Sequence, residues 1–297
     1  MLNQFQLLDK FVWYLTERWS MHQKRLKGLP PPWTDDAVLQ KYRFCQVRRE
    51  DDRVTRWIHE NWLRPHSSDR NLWHAMCVAR MFNHIDTLDE MGWPEPWGSR
   101  RDAAIKLVAA KKSRGEKMFS SAYTLVSLAY YIVGSGKQQS LLDHHIAVFD
   151  DAWHRRTELH PQSGDTLHDA YARLRTLYGF GSFLAGQVIA DVKYGDTLSA
   201  AVDWDTFAVS GSGSLRGLNR VCGRPLMQRW NEVEWHATLL DLRKTVLPKL
   251  PRQLRSLDAS NIEHGLCEFD KYQRVSEGGK LSRLYKAPEP GYMKGGK

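Results

Sequence analysis

Residues 177–223 hold the residue types and the spacing that chemistry on an anionic substrate requires. The segment LYGFG at 177–181 carries two glycines between two helical patterns, and glycine permits the positive φ of a tight link between helices. A helix that begins after such a turn directs unpaired N–H groups outward, and its dipole favours an anion there. We therefore predict a phosphate-binding turn at Gly179, Gly181 and Ser182.

An acidic pair, Asp203 and Asp205, follows within the segment AVDWDTF. An apolar step delivers Asp203 to the start of a further predicted helical segment, where its carboxylate either caps that helix or faces a pocket. In a pocket, either aspartate can act as a base or orient an ammonium group. The next segment, GSGSLRG at 211–217, predicts a flexible anion-binding loop with Arg216 as a bidentate arm, and a plain linker is the alternative.

Further candidates precede the turn. Residues 41–64 are rich in arginine, and Arg48 and Arg49 either belong to a solvated helix face or contact phosphate. A helix predicted over 71–89 places Arg80, Asn83 and Asp86 on one edge by three-residue steps, so that edge is suited to lining a cleft.

Composition limits the class of protein. The 297 residues carry a formal net charge of +9, which suits a polyanionic partner. The four cysteines lack paired spacing, so we expect reduced thiols and neither disulfides nor a zinc site. The cluster around His144 and His145 has only loose ligand spacing, and we expect no metal and no cofactor. The apolar run at 122–133 is too short to span a bilayer and predicts a core helix.

Helical periodicity dominates the sequence and alternating strand patterns are few, which predicts an all-α fold with two lobes and a cleft between them. The segment WPEPW at 93–97 predicts a stiff loop whose two rings plug the core, and a lid is the alternative. Residues 132–137 lack the spacing of a phosphate loop, which argues against kinase activity. The predicted helices span residues 2–26, a segment capped by Thr34, 71–89, 100–112, 166–177, 182–194, 225–247 and 258–272.

The order of the turn, its following helix and Asp203 resembles the helix-hairpin-helix DNA glycosylase fold. That resemblance implies that the turn grips DNA phosphates and that Asp203 faces an extruded base. The chain departs from the lyase-type members, because Phe183 stands where they place a Schiff-base lysine, and it lacks the iron-sulfur cysteines of others.

Four blocks, at 80–86, 179–191, 211–218 and 263–272, are similar to the phage thymine-hypermodification family. That family comprises the amino acid:DNA transferases, also called glutamyl/putrescinyl-thymine pyrophosphorylases, and the helical domain of hydroxymethyluracil DNA kinases. The resemblance implies replacement of the phosphate or pyrophosphate on a 5-hydroxymethyl group in DNA by an amine. It favours phosphate contacts by Arg48 or Arg49, and it favours a cleft position for Glu268 and Lys271 over a surface ion pair.

We therefore expect an amino acid:DNA transferase that acts in the cytoplasm of the infected cell, as a monomer without membrane contact. Its partners are double-stranded DNA carrying phosphorylated 5-hydroxymethyluracil and an amino acid, such as glycine, or a polyamine. A non-catalytic DNA-binding module and a DNA glycosylase are the alternatives. We expect one two-lobed catalytic domain at 1–286, with its core at about 166–223, and a disordered basic tail at 287–297. The predicted catalytic residues are Asp203, Asp205 and Asn83, the substrate-binding residues Arg49, Arg80, Gln187, Arg216, Glu268 and Lys271, and the DNA-binding residues Gly179, Gly181, Ser182 and Arg48.

Overall fold

A computed structural model describes residues 4–120 and 141–279. Within these ranges every regular element is a helix, which confirms the predicted all-α class. The helix predicted at 122–133, the stretch 132–137 and the tail 287–297 lie outside the described residues. The α-helices are α1 (Gln4–Leu26), α2 (Ala37–Lys41), α3 (Arg53–Ile58), α4 (Leu72–Phe82), α5 (Ile85–Met91), α6 (Trp97–Ser113), α7 (Leu141–His154), α8 (Arg156–Leu159), α9 (Leu167–Leu174), α10 (Ser182–Val192), α11 (Ser212–Val221), α12 (Glu232–Val246) and α13 (Ala259–Ser276).

The described residues form two compact units. Unit 1 contains those up to Asp52 and from Ser210 onward, and unit 2 contains those from Arg53 to Val209. The predicted core at about 166–223 contributes to both units. In the described part of the chain, no helix combines the length and the apolar character that crossing a membrane requires.

The core of unit 1 is aromatic and joins α1 to α13. Phe11 and Tyr14 of α1 are buried against Phe269 of α13, with ring centroids 5.3 and 5.7 Å apart. Tyr272, one turn further along α13, lies 5.3 Å from the Tyr14 ring. Apolar positions at helical spacing thus bury one stripe of each helix, as the pattern at 2–26 predicts.

The serine-glycine segment at 211–217 has a different structure from the one its sequence predicts. It is not a flexible loop, because Ser212 begins α11 and the helix continues to Val221. Gly213 and Gly217 face α13 so closely that a Cβ on Gly213 would overlap the Cys267 sulfur. A Cβ on Gly217 would overlap the Leu266 carbonyl oxygen and lie 2.7 Å from its carbon. These glycines therefore allow the backbones of two helices to approach, which the composition alone does not distinguish from a linker.

Gly217→Ala is expected to lower the free energy of unfolding by roughly 3 kcal/mol, the upper end of the usual cost of overpacking. The cost is high because the backbone of Leu266 cannot move without shifting α13. Thermal or urea unfolding measures this loss. Gly211→Ala is the matched control, since its Cβ would meet only ordinary contacts, the nearest at 3.7 Å. Equal stability of the two variants would show that α11 and α13 do not pack at Gly217 as described.

In unit 2, the helix predicted at 71–89 is two helices. Asn83 ends α4 in the left-handed conformation, with φ of 47°, and α5 begins at Ile85. Asp86 is consequently exposed on the second helix and does not continue an edge with Arg80. A short asparagine tolerates this conformation, but the sequence pattern on both sides is helical and conceals the break.

Two other predicted helix starts are wrong. Asp36, and not Thr34, is the N-cap of α2, where its Oδ1 accepts from the Leu39 N–H at 2.8 Å. The helix predicted from residue 225 begins only at Glu232, behind the cap Asn231. Met227 and Val233, two apolar residues of the predicted segment, are exposed. Local capping by an acidic or amide side chain decides both starts.

Within the segment at 93–97, Trp97 fills the core as predicted. Its ring is buried against Phe149, with centroids 5.3 Å apart, and its indole N–H donates to Asp150 at 2.9 Å. Trp93 is half-buried and stacks on His66 at 3.8 Å. Trp93 and Trp97 therefore serve packing within unit 2.

Candidate functional site

A polar face of α13 is the strongest candidate site in unit 1. Helical spacing brings a set of side chains to one side of the helix, opposite the loop at 44–52. Their mutual electrostatic effects on the pKa values of Glu263, His264 and Glu268 show that they lie close together. The set consists of Glu263, His264, Cys267, Glu268 and Lys271 from α13, with Arg49 and Cys45 from the loop.

Glu263 is the member of this set whose carboxyl is best suited to proton transfer. Burial raises the pKa of its carboxyl to about 7, although a hydrogen bond from Ser214 and the nearby Arg49 guanidinium both act to lower it. The first turn of α11 approaches it, since a Cβ on Gly211 would lie 3.7 Å from Glu263 Oε1. A carboxyl that titrates near neutral pH can take up and release a proton under physiological conditions. Such a shift beside a cation is typical of a functional site.

The loop that carries Arg49 is fixed at several points. Arg18 of α1 donates to the carbonyl oxygens of Phe44 and Cys45, each at 3.1 Å. The Arg49 N–H donates to Asn261 Oδ1 at 2.9 Å, which ties the loop to the first turn of α13. The backbone at Arg49 is thus held against the first turn of α13 by hydrogen bonds.

Glu268 and Lys271 form the pair that their three-residue step predicts. Lys271 Nζ lies 2.5 Å from Glu268 Oε2, and the Cys45 N–H donates to the same oxygen at 2.7 Å. Burial would raise the pKa of Glu268, but Lys271 and His264 outweigh it and hold the pKa below its usual value. Glu268 is buried, so the pair is not a solvated surface bridge. Lys271 also lies over the Phe44 ring, 4.9 Å from its centroid.

Two further groups bear on the polar face. Burial lowers the pKa of His264, which favours its neutral imidazole. The Tyr14 hydroxyl is buried and has no hydrogen-bond partner among the described residues. Its pKa is raised by burial and by Glu268 nearby, so it remains a protonated donor. A buried donor without a partner is rare in proteins and is suited to a bound ligand or water.

The other predicted arginines of unit 1 have protein partners. Arg216 Nε donates to Asp270 Oδ2 at 2.8 Å, and Arg220 Nε donates to Asp270 Oδ1 at 3.0 Å. Arg48 donates to the Gln253 carbonyl oxygen and lies over the Trp19 ring, 4.8 Å from its centroid. Arg216 therefore belongs to a helix that packs on α13, and the flexible loop predicted around it is wrong. Its role in binding an anion stays a prediction.

Arg80 lies in a buried network of unit 2. Its guanidinium is 1% exposed and pairs bidentately with Asp191 of α10, with Nη2 2.6 Å from Oδ1. Further contacts run from Nη2 to Thr55 at 3.1 Å and from Nη1 to Asn83 Oδ1 at 3.3 Å. His59 Nε2 lies 3.2 Å from the same Asp191 oxygen. In this arrangement the network links α3, α4 and α10 and occupies the forked donors that the prediction assigned to phosphate.

Asp203 caps a helix, but not the one expected. No helix starts beside it; its two carboxylate oxygens accept from the N–H groups of Leu167 and His168 at 2.7 and 3.0 Å. These are the first two residues of α9, and Thr166 caps the third N–H. The carboxylate therefore satisfies donors that a helix start leaves unpaired. Asp205 is exposed and Gln187 is half-buried.

The glycine turn joins α9 to α10 as predicted. Gly179 has φ of 75°, while Gly181 has φ of −70° and precedes the first residue of α10, Ser182. Phe180 between them is buried and fixes the turn to the core of unit 2. A Cβ on Gly181 would meet nothing within 4 Å, so the turn is open to an approaching group.

The predicted residues thus fall into two groups. Unit 1 holds Arg48, Arg49, Arg216, Glu268 and Lys271, and unit 2 holds Arg80, Asn83, Gln187, Asp203, Asp205, Gly179, Gly181 and Ser182. Sequence reasoning missed Glu263 as a chemical group, although it lies in one of the four family-like blocks. The available signal was its spacing of four residues from Cys267 and eight from Lys271, which places the three side chains on one face of a helix. In the described part of the chain, no three His, Cys, Asp or Glu side chains are arranged to hold a metal ion.

Comparison with known proteins supports the resemblance. The model of the family described as 5-hmdU DNA kinase, helical domain, matches residues 5–280. The chain belongs to this family. It is also similar to the 5-hmdU DNA kinase of Bacillus phage SP10, with 25% identity over 285 residues. That match covers 90% of this chain but only 45% of the relative, so the chain spans less than half of the kinase's length. No solved structure matches the chain significantly.

Membership of the 5-hmdU DNA kinase helical-domain family confirms the predicted relationship at the level of the family. The family match includes the polar face of α13, the turn before α10 and the Arg80 network, since all lie within residues 5–280. The transferase branch of the predicted resemblance goes beyond this match and is taken up below.

Proposed function

We propose that this helical-domain family member is a transferase that acts on 5-phosphomethyl-deoxyuridine, or its pyrophosphate form, in DNA. An amine, most simply the α-amino group of an amino acid such as glycine, attacks the exocyclic carbon. The C–N bond forms as the C–O bond breaks, phosphate or pyrophosphate leaves with the electron pair, and the nitrogen loses a proton to a base. The relative's printed name supports a substrate related to 5-hmdU in DNA.

The observation that carries the proposal is the Glu263 carboxyl, whose pKa is raised to about 7 beside Arg49. The reaction needs a base that works near neutral pH and cations that stabilise the departing oxygens. Glu263 meets the first need in this proposal. Arg49 meets the second, because a guanidinium matches phosphate oxygens. Lys271 adds positive charge to the same face but contacts a phosphate only if its ion pair with Glu268 opens.

The proposal assigns different roles to several of the predicted residues. Arg80 supports unit 2 through Asp191, and Asp203 supports α9, because their polar atoms already have protein partners. Arg216 supports unit 1 through the contact of its Nε with Asp270. Asp205 as a base, and Asn83 and Gln187 as readers of the pyrimidine edge, stay predictions. The turn at Gly179, Gly181 and Ser182 contacts the DNA backbone in this proposal.

The deciding experiment offers the full chain duplex DNA containing 5-phosphomethyl-deoxyuridine together with a pool of amino acids and polyamines. The DNA is then digested to nucleosides and weighed. We expect a nucleoside whose mass corresponds to loss of phosphate and gain of one amine, with phosphate released in equal amount. Binding without release of phosphate from either the monophosphate or the pyrophosphate substrate would overturn the proposal.

A non-catalytic DNA-reading module is the second candidate, and one observation favours it. The matched family is the helical domain of a kinase, and the chain corresponds to only 45% of that kinase relative. Such a module would bind phosphomethylated DNA and leave its phosphate in place with every amine offered. A glycosylase would instead leave abasic sites, which the same digestion detects.

The turn before α10 supplies a prediction about DNA affinity. Gly181→Ala is expected to leave the stability unchanged, because φ is −70° and the added Cβ has open space. If backbone N–H groups hold a phosphate there, the methyl group obstructs its approach and the affinity falls by on the order of tenfold, the scale of one charge-assisted contact. Titration of a labelled duplex at several salt concentrations measures this, and wild-type affinity should itself fall steeply with salt. Unchanged affinity in the variant would remove the turn from the DNA contact.

A further inference from the structure

The glycine turn presents two aromatic side chains to solvent. Tyr178 immediately precedes Gly179 and is 70% exposed, and Phe183 is the second residue of α10 and is 49% exposed. The only other exposed aromatic side chain in the described part of the chain is Trp13, which belongs to unit 1 and is 38% exposed. Phe180, between the two, is buried. The turn is therefore anchored by one ring and flanked by two outward rings.

The surroundings of the turn favour a nucleic-acid partner over an apolar one. The first N–H groups of α10, which begins at Ser182, follow Tyr178 closely in the chain and attract an anion. Arg175, also exposed, adds a positive charge on the last turn of the preceding helix and lies over the Tyr171 ring, 5.5 Å from its centroid. A partner that offers both an anion and flat apolar faces matches this combination, and DNA offers phosphates and bases.

A second, independent feature lies behind Tyr178. The ring of His144 has its centroid 6.5 Å from that of Tyr178. His144 is 4% exposed, and its Nε2 has no hydrogen-bond partner among the described residues. Burial also lowers its pKa, which favours a neutral ring with one nitrogen acceptor. A buried polar atom of this kind is suited to a ligand group that enters beside Tyr178.

We propose that Tyr178 and Phe183 stack on DNA bases and fill the gap that the target nucleotide leaves when it is extruded from the duplex. This rests on the proposed function to the extent that the reaction requires extrusion. Removing a base from the stack exposes its neighbours, and an inserted aromatic ring restores the lost stacking. The rings contribute through contact with base faces, so their effect on affinity is independent of salt.

The test compares binding of the full chain to an intact labelled duplex and to the same duplex with one abasic site, where the gap already exists. We expect wild type to prefer the abasic duplex. The double variant Tyr178→Ala/Phe183→Ala should lose that preference and bind the abasic duplex on the order of tenfold or more weakly. The slope of affinity against salt should remain that of wild type, because no phosphate contact is removed.

Trp13→Ala is the matched control, since it removes an exposed aromatic ring of unit 1, and it should bind both duplexes as wild type does. Tyr178→Phe should retain the preference for the abasic duplex, because it keeps the ring. The inference is overturned if the double variant keeps the preference, if its salt slope falls, or if Trp13→Ala shows the same loss. Because the assay uses no amine and no phosphorylated base, these results stand whether or not amine transfer occurs.

Discussion

Glu263→Gln is expected to lower kcat/KM for amine transfer by roughly 10²- to 10⁴-fold, the usual contribution of a positioned general base. Glutamine keeps the shape and can still accept from Ser214, but it cannot take the proton from the attacking nitrogen. The rate of wild type should also fall as the pH drops through about 7, because the carboxyl, whose pKa is raised to that value, becomes protonated. Release of phosphate from modified DNA over a pH series measures both effects.

The same substitution should change the pH dependence of stability. The folded state holds a proton on Glu263 up to about pH 7, whereas the unfolded chain releases it near the ordinary glutamate pKa of 4.5. Stability is therefore lost as the pH rises across this window, and Glu263→Gln should remove that loss. A structural role alone would move stability and leave the pH–rate profile unchanged.

Two variants test whether the role of base belongs to Glu263 and not to another carboxylate. Glu232→Gln removes an exposed carboxylate of unit 1, so it should retain full activity and wild-type stability. Asp203→Asn keeps one side-chain oxygen that accepts from the start of α9, so the free energy of unfolding should fall by no more than about 0.5–2 kcal/mol. Turnover should stay intact. Abolished turnover in a folded Asp203→Asn variant, together with an active Glu263→Gln variant, would return the role of base to Asp203.

Asp191→Asn is expected to lower the free energy of unfolding by about 3–5 kcal/mol, since it leaves the buried Arg80 guanidinium without its counter-charge. The loss is large because Arg80 is held within the protein by Thr55 and Asn83 and cannot reach water without disrupting α4. Urea unfolding monitored by circular dichroism measures it.

The double variant Arg80→Met/Asp191→Leu should recover a substantial part of that stability, because replacing a buried pair by apolar side chains is often neutral. Lys244→Ala is the control for removal of an ion pair as such. Lys244 and Asp241 are both exposed, so this variant should stay within about 0.5 kcal/mol of wild type. If Asp191→Asn matched Lys244→Ala, Arg80 would have to be open to solvent or to a ligand, as the sequence analysis expected.

Elements set by local interactions were predicted well. Helices α1, α6, α9, α10 and α13 match the predicted segments to within a few residues, because their apolar periodicity and caps are contained in the segments themselves. The positive φ of Gly179 also follows from its immediate neighbours. Where a local pattern was misleading, as at Asn83, a single residue in the left-handed conformation broke a helix that the flanking residues favour.

Charged side chains show the limit of that reasoning. A sequence displays Arg80 and Arg216 as forked cations with equal claim on phosphate, but Asp191 lies 111 residues from the first and Asp270 lies 54 residues from the second. No local pattern reveals such a partner. The same holds for Asp203, whose carboxylate accepts a hydrogen bond from the N–H group of Leu167, 36 residues away.

The sequence by itself determined the helical class, the glycine turn and the family, since these depend on periodicity, backbone freedom and blocks of residue identity. Only the tertiary structure decided which ionisable groups have partners and which are poised to react. The pKa of Glu263 is raised because the packing of α13, α11 and the Arg49 loop partly shields its carboxyl from water, and the nearby Arg49 and Ser214 only partly offset that loss of hydration. That balance of desolvation against distant charges exists only once the chain is folded.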